Sequence, residues 1–150
     1  MKVTDHIKQD HEEMLALFEE FEKKPSKRIV KEIGEILLPH HHAEEEVVFP
    51  GVAEASAQKA ELVADLIAEH GVIDRELEEI LETPVGDELF EAKVRVWKEI
   101  VEHHLDEEEG VFFPHLEEVY SDSELTAMNK EFEAAEDEYD PEIEDGEDEE

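Results

Sequence analysis

The sequence predicts an all-α fold: an antiparallel up-down-up-down four-helix bundle, followed by a short C-terminal helix and an acidic disordered tail. Two observations predict it. Apolar residues recur at spacings of three and four through four long segments, the period of a helix with one buried face. Strand-like alternation of β-branched residues is absent, and Gly and Pro number only six each in 150 residues.

The first helix is expected over about 4–23, with Ile7, His11, Met14, Phe18 and Phe21 on one stripe. Lys23-Lys24-Pro25 ends it, and Ser26 offers a hydroxyl to cap the next. The second helix is expected over about 27–49, with Ile29, Ile33, Leu37, His40, Glu44 and Val47 aligned. Pro39 falls inside this pattern and predicts a kink, because its ring clashes with the preceding turn. The third helix, about 58–82, aligns Val63, Leu66, Ile67, His70, Ile73, Leu77, Ile80 and Leu81. After a Thr83-Pro84-Val85-Gly86 turn, the fourth, about 87–113, aligns Phe90, Val94, Trp97, Val101, His104, Glu108 and Val111. Short connections between amphipathic helices point to antiparallel neighbours. Ser121-Asp122-Ser123 can cap a fifth helix on which Leu125, Met128 and Phe132 face one way. The expected organisation is a bundle over 1–120, a short helix over 121–135 and a disordered tail over 136–150.

One stretch occurs twice. His40-His41-His42-Ala43-Glu44-Glu45-Glu46-Val47-Val48-Phe49-Pro50 is matched by His104-Leu105-Asp106-Glu107-Glu108-Glu109-Gly110-Val111-Phe112-Phe113-Pro114. The copies share a His, a Glu four residues on, a second Glu, and a closing Phe-Pro. His and Glu at i and i+4 lie one turn apart on one helix face. The leading helix of each hairpin adds a further His after an acid: Asp10-His11 and Glu69-His70. Six inward residues result: His11, His40, Glu44, His70, His104 and Glu108. Isolated charges in a core cost several kcal/mol per ion even after relaxation, so the two Glu require partners. Four imidazoles and two carboxylates exceed one ordinary zinc site. They suit two iron ions, each with about two His, joined by both carboxylates and a solvent-derived oxygen.

Taken together, the Asp-His, His-x-x-x-Glu-Glu…Phe-Pro, Glu-His, His-x-x-x-Glu-Glu…Phe-Pro order resembles the hemerythrin-like, or HHE cation-binding, family over roughly 4–116. The resemblance implies a four-helix bundle with an oxo- or hydroxo-bridged non-haem diiron site handling O2, NO or peroxide. It assigns His11, His40, His70 and His104 as ligands and Glu44 and Glu108 as bridging carboxylates. Oxygen-carrying members place another His one turn after the third-helix His; here that position is Asp74. Asp74 is on the right face to ligate, to orient a ligand, or to form a salt bridge. Glu45 and Glu109 point off the stripe and are candidates for alternative bridges or for accepting hydrogen bonds from ligand imidazoles. His41, His42 and His103 are expected to be partly exposed, and His6 and His115 to be structural.

Composition bounds the remaining classes. Cysteine is absent, which excludes disulfides, thiolate nucleophiles and Cys-based metal sites. No Glu-x-x-His, His-Glu-x-x-His, calcium loop or phosphate loop occurs. The net charge of −34 opposes nucleic acid and anionic lipid as partners. It also fits a high-salt habitat, an idea that a melting temperature insensitive to molar salt would sink. No apolar run reaches the ~20 residues of a membrane span, and no signal peptide opens the chain, so a cytoplasmic location is expected. Three functions share such a site: binding O2 (carriage or sensing) or NO, reducing peroxide or NO with an external electron donor, and storing or delivering iron.

Overall fold

The computed structural model describes residues 1–143. Among these the protein is entirely helical, without a strand. Helix α1 spans Val3–Lys23 and α2 spans Lys27–Ala43. A turn of π-helix, Glu44–Val48, joins α2 to the short α3, Phe49–Ala53. Then α4 runs Ala57–Glu82 and α5 Leu89–Glu107. A second π turn, Glu108–Phe112, leads into α6, Phe113–Val119. Helix α7, Asp122–Glu138, follows.

Serine side chains start three of these helices. Ser26 Oγ accepts from the Ile29 N–H, Ser56 Oγ from that of Lys59 and Ser121 Oγ from that of Glu124, each satisfying a donor the helix leaves unpaired. Pro39 lies inside α2 without ending it.

The π turns were not foreseen, and the closing Phe-Pro of each repeat explains them. A proline lacks the N–H for an α-helical bond and its ring collides with the carbonyl four residues back. The chain widens just before it, and the bonds become five residues long: Phe49 N–H donates to Glu44 C=O, and Phe113 N–H to Glu108 C=O. Each widened turn holds one extra residue, which moves the buried face forward by one. Val48 and Phe112 are therefore fully buried, where regular spacing pointed to Val47 and Val111; Val111 is 47% exposed.

The apolar core is split into two clusters. One gathers Val3, Ile7, Val48, Phe49, Leu66 and Phe112. The other gathers Met14, Phe18, Leu37, Ile73, Trp97 and Val101. Trp97 is fully buried and its Nε1–H donates to the Ile73 carbonyl at 3.1 Å, so its polar edge costs nothing. Along α1, α2, α4 and α5 the chain passes from one cluster to the other by way of a histidine.

Helix α7 packs against α1, α2 and the first π turn. Leu125, Met128 and Phe132 are among its buried residues, as their spacing implied. It extends past the expected boundary at 135, and its last turn carries Glu136 onto His6, with Nε2 to Oε1 at 2.8 Å. Of the expected disordered tail, 144–150 lies outside the described residues. No helix among the described residues is long and apolar enough to cross a membrane.

Candidate metal centre

Between the two apolar clusters lies a polar layer. His11, His40, His70 and His104 are each 1% exposed, and Glu44 and Glu108 are fully buried. All six sequence-predicted donors converge there, in two groups. His11, His40, Glu44 and Glu108 offer donor atoms within 4.8 Å of one another, and so do Glu44, His70, His104 and Glu108. The groups share both carboxylates.

The inward atoms do not satisfy each other. His40 Nε2, His70 Nε2, His104 Nε2, both oxygens of Glu44 and Glu108 Oε2 are buried without a hydrogen bond. His70 Nε2 approaches Glu44 Oε1 to 3.1 Å and His40 Nε2 approaches Glu44 Oε2 to 3.3 Å, yet neither pair is aligned to bond. Only His11 Nε2 bonds inward, to Glu108 Oε1 at 2.9 Å. An unpaired buried polar group costs about 1–3 kcal/mol, more when charged. Six together in one layer fit a cation: imidazole lone pairs and carboxylate oxygens are donors that a positive ion would satisfy at once.

The outward edges of the rings are, by contrast, fully held. His40 Nδ1 lies 2.8 Å from Asp10 Oδ2 and His104 Nδ1 lies 2.6 Å from Glu69 Oε1. His11 Nδ1 lies 2.6 Å from Glu109 Oε2 and His70 Nδ1 lies 2.8 Å from Glu45 Oε2. Each carboxylate accepts the Nδ1–H, fixes the tautomer and turns Nε2 inward. The acid before each leading His thus serves the ring of the following helix. The second Glu of each His-x-x-x-Glu-Glu crosses to the other hairpin. The π turn makes the crossing available, since in a regular helix consecutive Glu residues diverge by about 100°.

Electrostatics agree with a layer suited to a cation. Burial pushes the Glu44 carboxyl well above the usual range, and the charge of Glu108 adds to it. Burial acts likewise on Glu108, but the neighbouring Glu44, His11 and His40 outweigh it and hold that carboxyl well below. Burial also opposes charge on His40, but the Glu44 charge and the Asp10 bond win and raise it well above the usual imidazole range. His11 is raised against its burial by its bonds to Glu108 and Glu109. His70 goes the other way: burial and the nearby His41 bring it down to about 3.

The remaining candidates sort by geometry. Glu45 and Glu109 are the Nδ1 acceptors just described. Asp74 joins neither donor group; its Oδ1 accepts from His41 Nδ1 at 2.8 Å. His41 itself was misread. It is 3% exposed rather than partly open, because α4 packs against that side of α2 and His41 stacks on His70. His42 stacks on Tyr139, and the His103 side chain is 73% exposed. His6 bridges Asn129 and Glu136 under α7. His115 sits beside Lys59. Asp10 and Glu69 were missed as functional residues, although an acid preceding the leading His in both halves was the signal.

A helical bundle with a buried layer of four imidazoles and two carboxylates defines a cation-binding protein. Residues 2–116 match the hemerythrin HHE cation-binding domain, and the chain belongs to that family. A curated relative, named DNA nickase and from Nostoc sp. (strain PCC 7120), is 29% identical over 139 residues. That match takes in 90% of this chain and 39% of the relative, so the chain spans about two-fifths of its length. No solved structure matches the chain.

Proposed function

We propose that this is a non-haem diiron protein that binds a small ligand, O2, NO or peroxide, at an open position of one iron. The observation that carries the reading is the pair of donor groups sharing Glu44 and Glu108. One ion in each group would receive two imidazoles and an oxygen from each carboxylate, leaving room for a solvent-derived bridge and one exogenous ligand. Mixed imidazole and carboxylate donors suit iron. Bound iron would supply Lewis acidity and one-electron chemistry. The chain's own residues would hold it: four rings aimed by Asp10, Glu45, Glu69 and Glu109, two bridging carboxylates, and apolar clusters on either side that exclude bulk water. An antiparallel up-down-up-down order of α1, α2, α4 and α5 belongs to this reading, supported by the short links between them.

An activity on DNA is not part of this reading. A net charge of −34 opposes approach to a polyanion, and most of the nickase has no counterpart in this chain. A reductase acting on peroxide or NO would use the same site with an external electron donor, since the chain offers no thiol.

Anaerobic loading with ferrous iron, followed by iron analysis and then O2, tests the reading. Expected are two irons per chain and a new visible band on oxygenation. Iron well below two per chain after full loading would refute the dinuclear site. Immediate passage to an inert ferric state would refute reversible O2 binding, and turnover of added peroxide or NO would then favour the reductase.

A further inference from the structure

His41 is buried at the edge of the centre and is not used by the donor set above. Its ring lies on that of His70, with centroids 3.6 Å apart and planes 11° from parallel. It meets His104 edge-on, at 5.8 Å and 80°. One of its nitrogens lies within 4.8 Å of a donor nitrogen on each of those rings. It does not share their ion as it stands. An imidazole donates in its own plane, and two nearly parallel planes 3.6 Å apart aim their lone pairs along lines that do not meet. The ring is nevertheless close enough to touch a small molecule bound to that ion.

Its orientation is set. Nδ1 lies 2.8 Å from Asp74 Oδ1, and an ionised carboxylate can only accept, so with Asp74 ionised Nδ1 carries the proton. Nε2 is left as an acceptor and makes no hydrogen bond among the described residues. Packing does not demand a polar residue here. In the repeat, His41 corresponds to Leu105 and Asp74 to Leu15; Leu105 belongs to an apolar cluster and Leu15 packs against it. One side of the centre is thus edged by a fixed hydrogen-bond acceptor where the matching positions of the other are aliphatic.

We propose that His41, oriented by Asp74, is the hydrogen-bond acceptor for a ligand that carries its own proton, of the class of hydrogen peroxide, at the ion held by His70 and His104. This rests on the diiron reading and specifies its ligand. A bare anion such as azide has no proton to give and gains nothing from Nε2. His41 is a positioning residue for the ligand and not a metal donor.

The test uses full-length, iron-loaded protein at pH 8, above the value of about 7 to which burial raises the Asp74 carboxyl, so that most of it is ionised. Iron per chain, azide affinity and the rate of the spectral change on mixing with hydrogen peroxide are measured together. The variants are His41→Leu, which copies the repeat counterpart, Asp74→Asn, which keeps an oxygen acceptor, and Asp74→Ala, which does not. Expected is unchanged iron per chain in all of them. Azide affinity stays within about twofold, and the peroxide rate falls about tenfold in His41→Leu, the scale of one hydrogen bond. Asp74→Ala falls towards His41→Leu, and Asp74→Asn retains most of the rate. Loss of iron from His41→Leu alone would make His41 a metal donor and overturn the proposal. So would equal effects on azide and peroxide, or no effect on either. Iron below two per chain in the unaltered protein would instead refute the diiron reading itself.

Discussion

The two hairpins of this molecule carry the same motif and finish it differently. In the first, α1 and α2 bring His11, His40 and Glu44; in the second, α4 and α5 bring His70, His104 and Glu108. The collar of carboxylates is symmetric to within 0.2 Å, since the Nδ1 contacts are 2.6 and 2.8 Å in each half. The inner charge is not. His11 and His40 are raised above the usual imidazole range, whereas His70 is depressed to about 3. The surroundings differ as well. Phe132 of α7 lies edge-on to His40 at 5.8 Å, while His41 and Asp74 flank the other pair. The difference teaches that the residues the two copies share build the cage, while residues they do not share decide how each half behaves.

The largest expected effect tests the sharing. Glu44→Ala or Glu108→Ala removes a donor from both groups, so each variant should lose both irons rather than one, as metal analysis would show. His70→Ala or His11→Ala should instead weaken one position more than the other. Loss of a single iron from either Glu variant would mean that the carboxylates are not shared.

The second effect is a pH dependence that separates the halves. A raised imidazole pKa means that the proton is held to higher pH and must be displaced by the metal. Binding at His11 and His40 should therefore weaken first as pH falls. His70, already neutral, imposes no such penalty. Metal content followed by titration to acid should drop in two steps, and spectra of the half-loaded protein should match those of His11→Ala. A single step would mean that the two halves titrate as one.

Next come the collar residues. Glu109→Gln and Glu45→Gln each weaken the hold on one ring, at a cost of about tenfold to a hundredfold in metal affinity. The smallest effect is expected from Pro50→Ala and Pro114→Ala. Restoring the missing N–H allows a regular turn, which would swing Glu45 or Glu109 away from its ring. Metal affinity should fall by less than in the Gln variants, and melting of the metal-free protein should shift little.

Much of this was legible in the sequence because it obeys one period. The stripes through Ile7, His11, Met14 and Phe18, and through Val94, Trp97, Val101 and His104, with those of α2 and α4, placed the core and all four inner rings. Legibility failed where the period changed. Val48 and Phe112 took the buried places expected for Val47 and Val111, because the wide turns before Pro50 and Pro114 add a residue. It failed also where a contact crosses between helices. Nothing in the spacing of α2 says that α4 will cover His41, or that Glu45 will reach His70 rather than solvent. Such pairings depend on how the hairpins dock, which a single helix does not encode.

Two ions sharing two carboxylates leave a magnetic signature. Bridged ferric ions couple, and their paramagnetic resonance largely disappears; isolated ferric ions give a full signal. Paramagnetic resonance of the iron-saturated, oxidised protein, quantified against its iron content, is the direct test. Expected is a signal accounting for only a small fraction of the iron. A signal accounting for all of it would place the ions apart and contradict a centre bridged by Glu44 and Glu108.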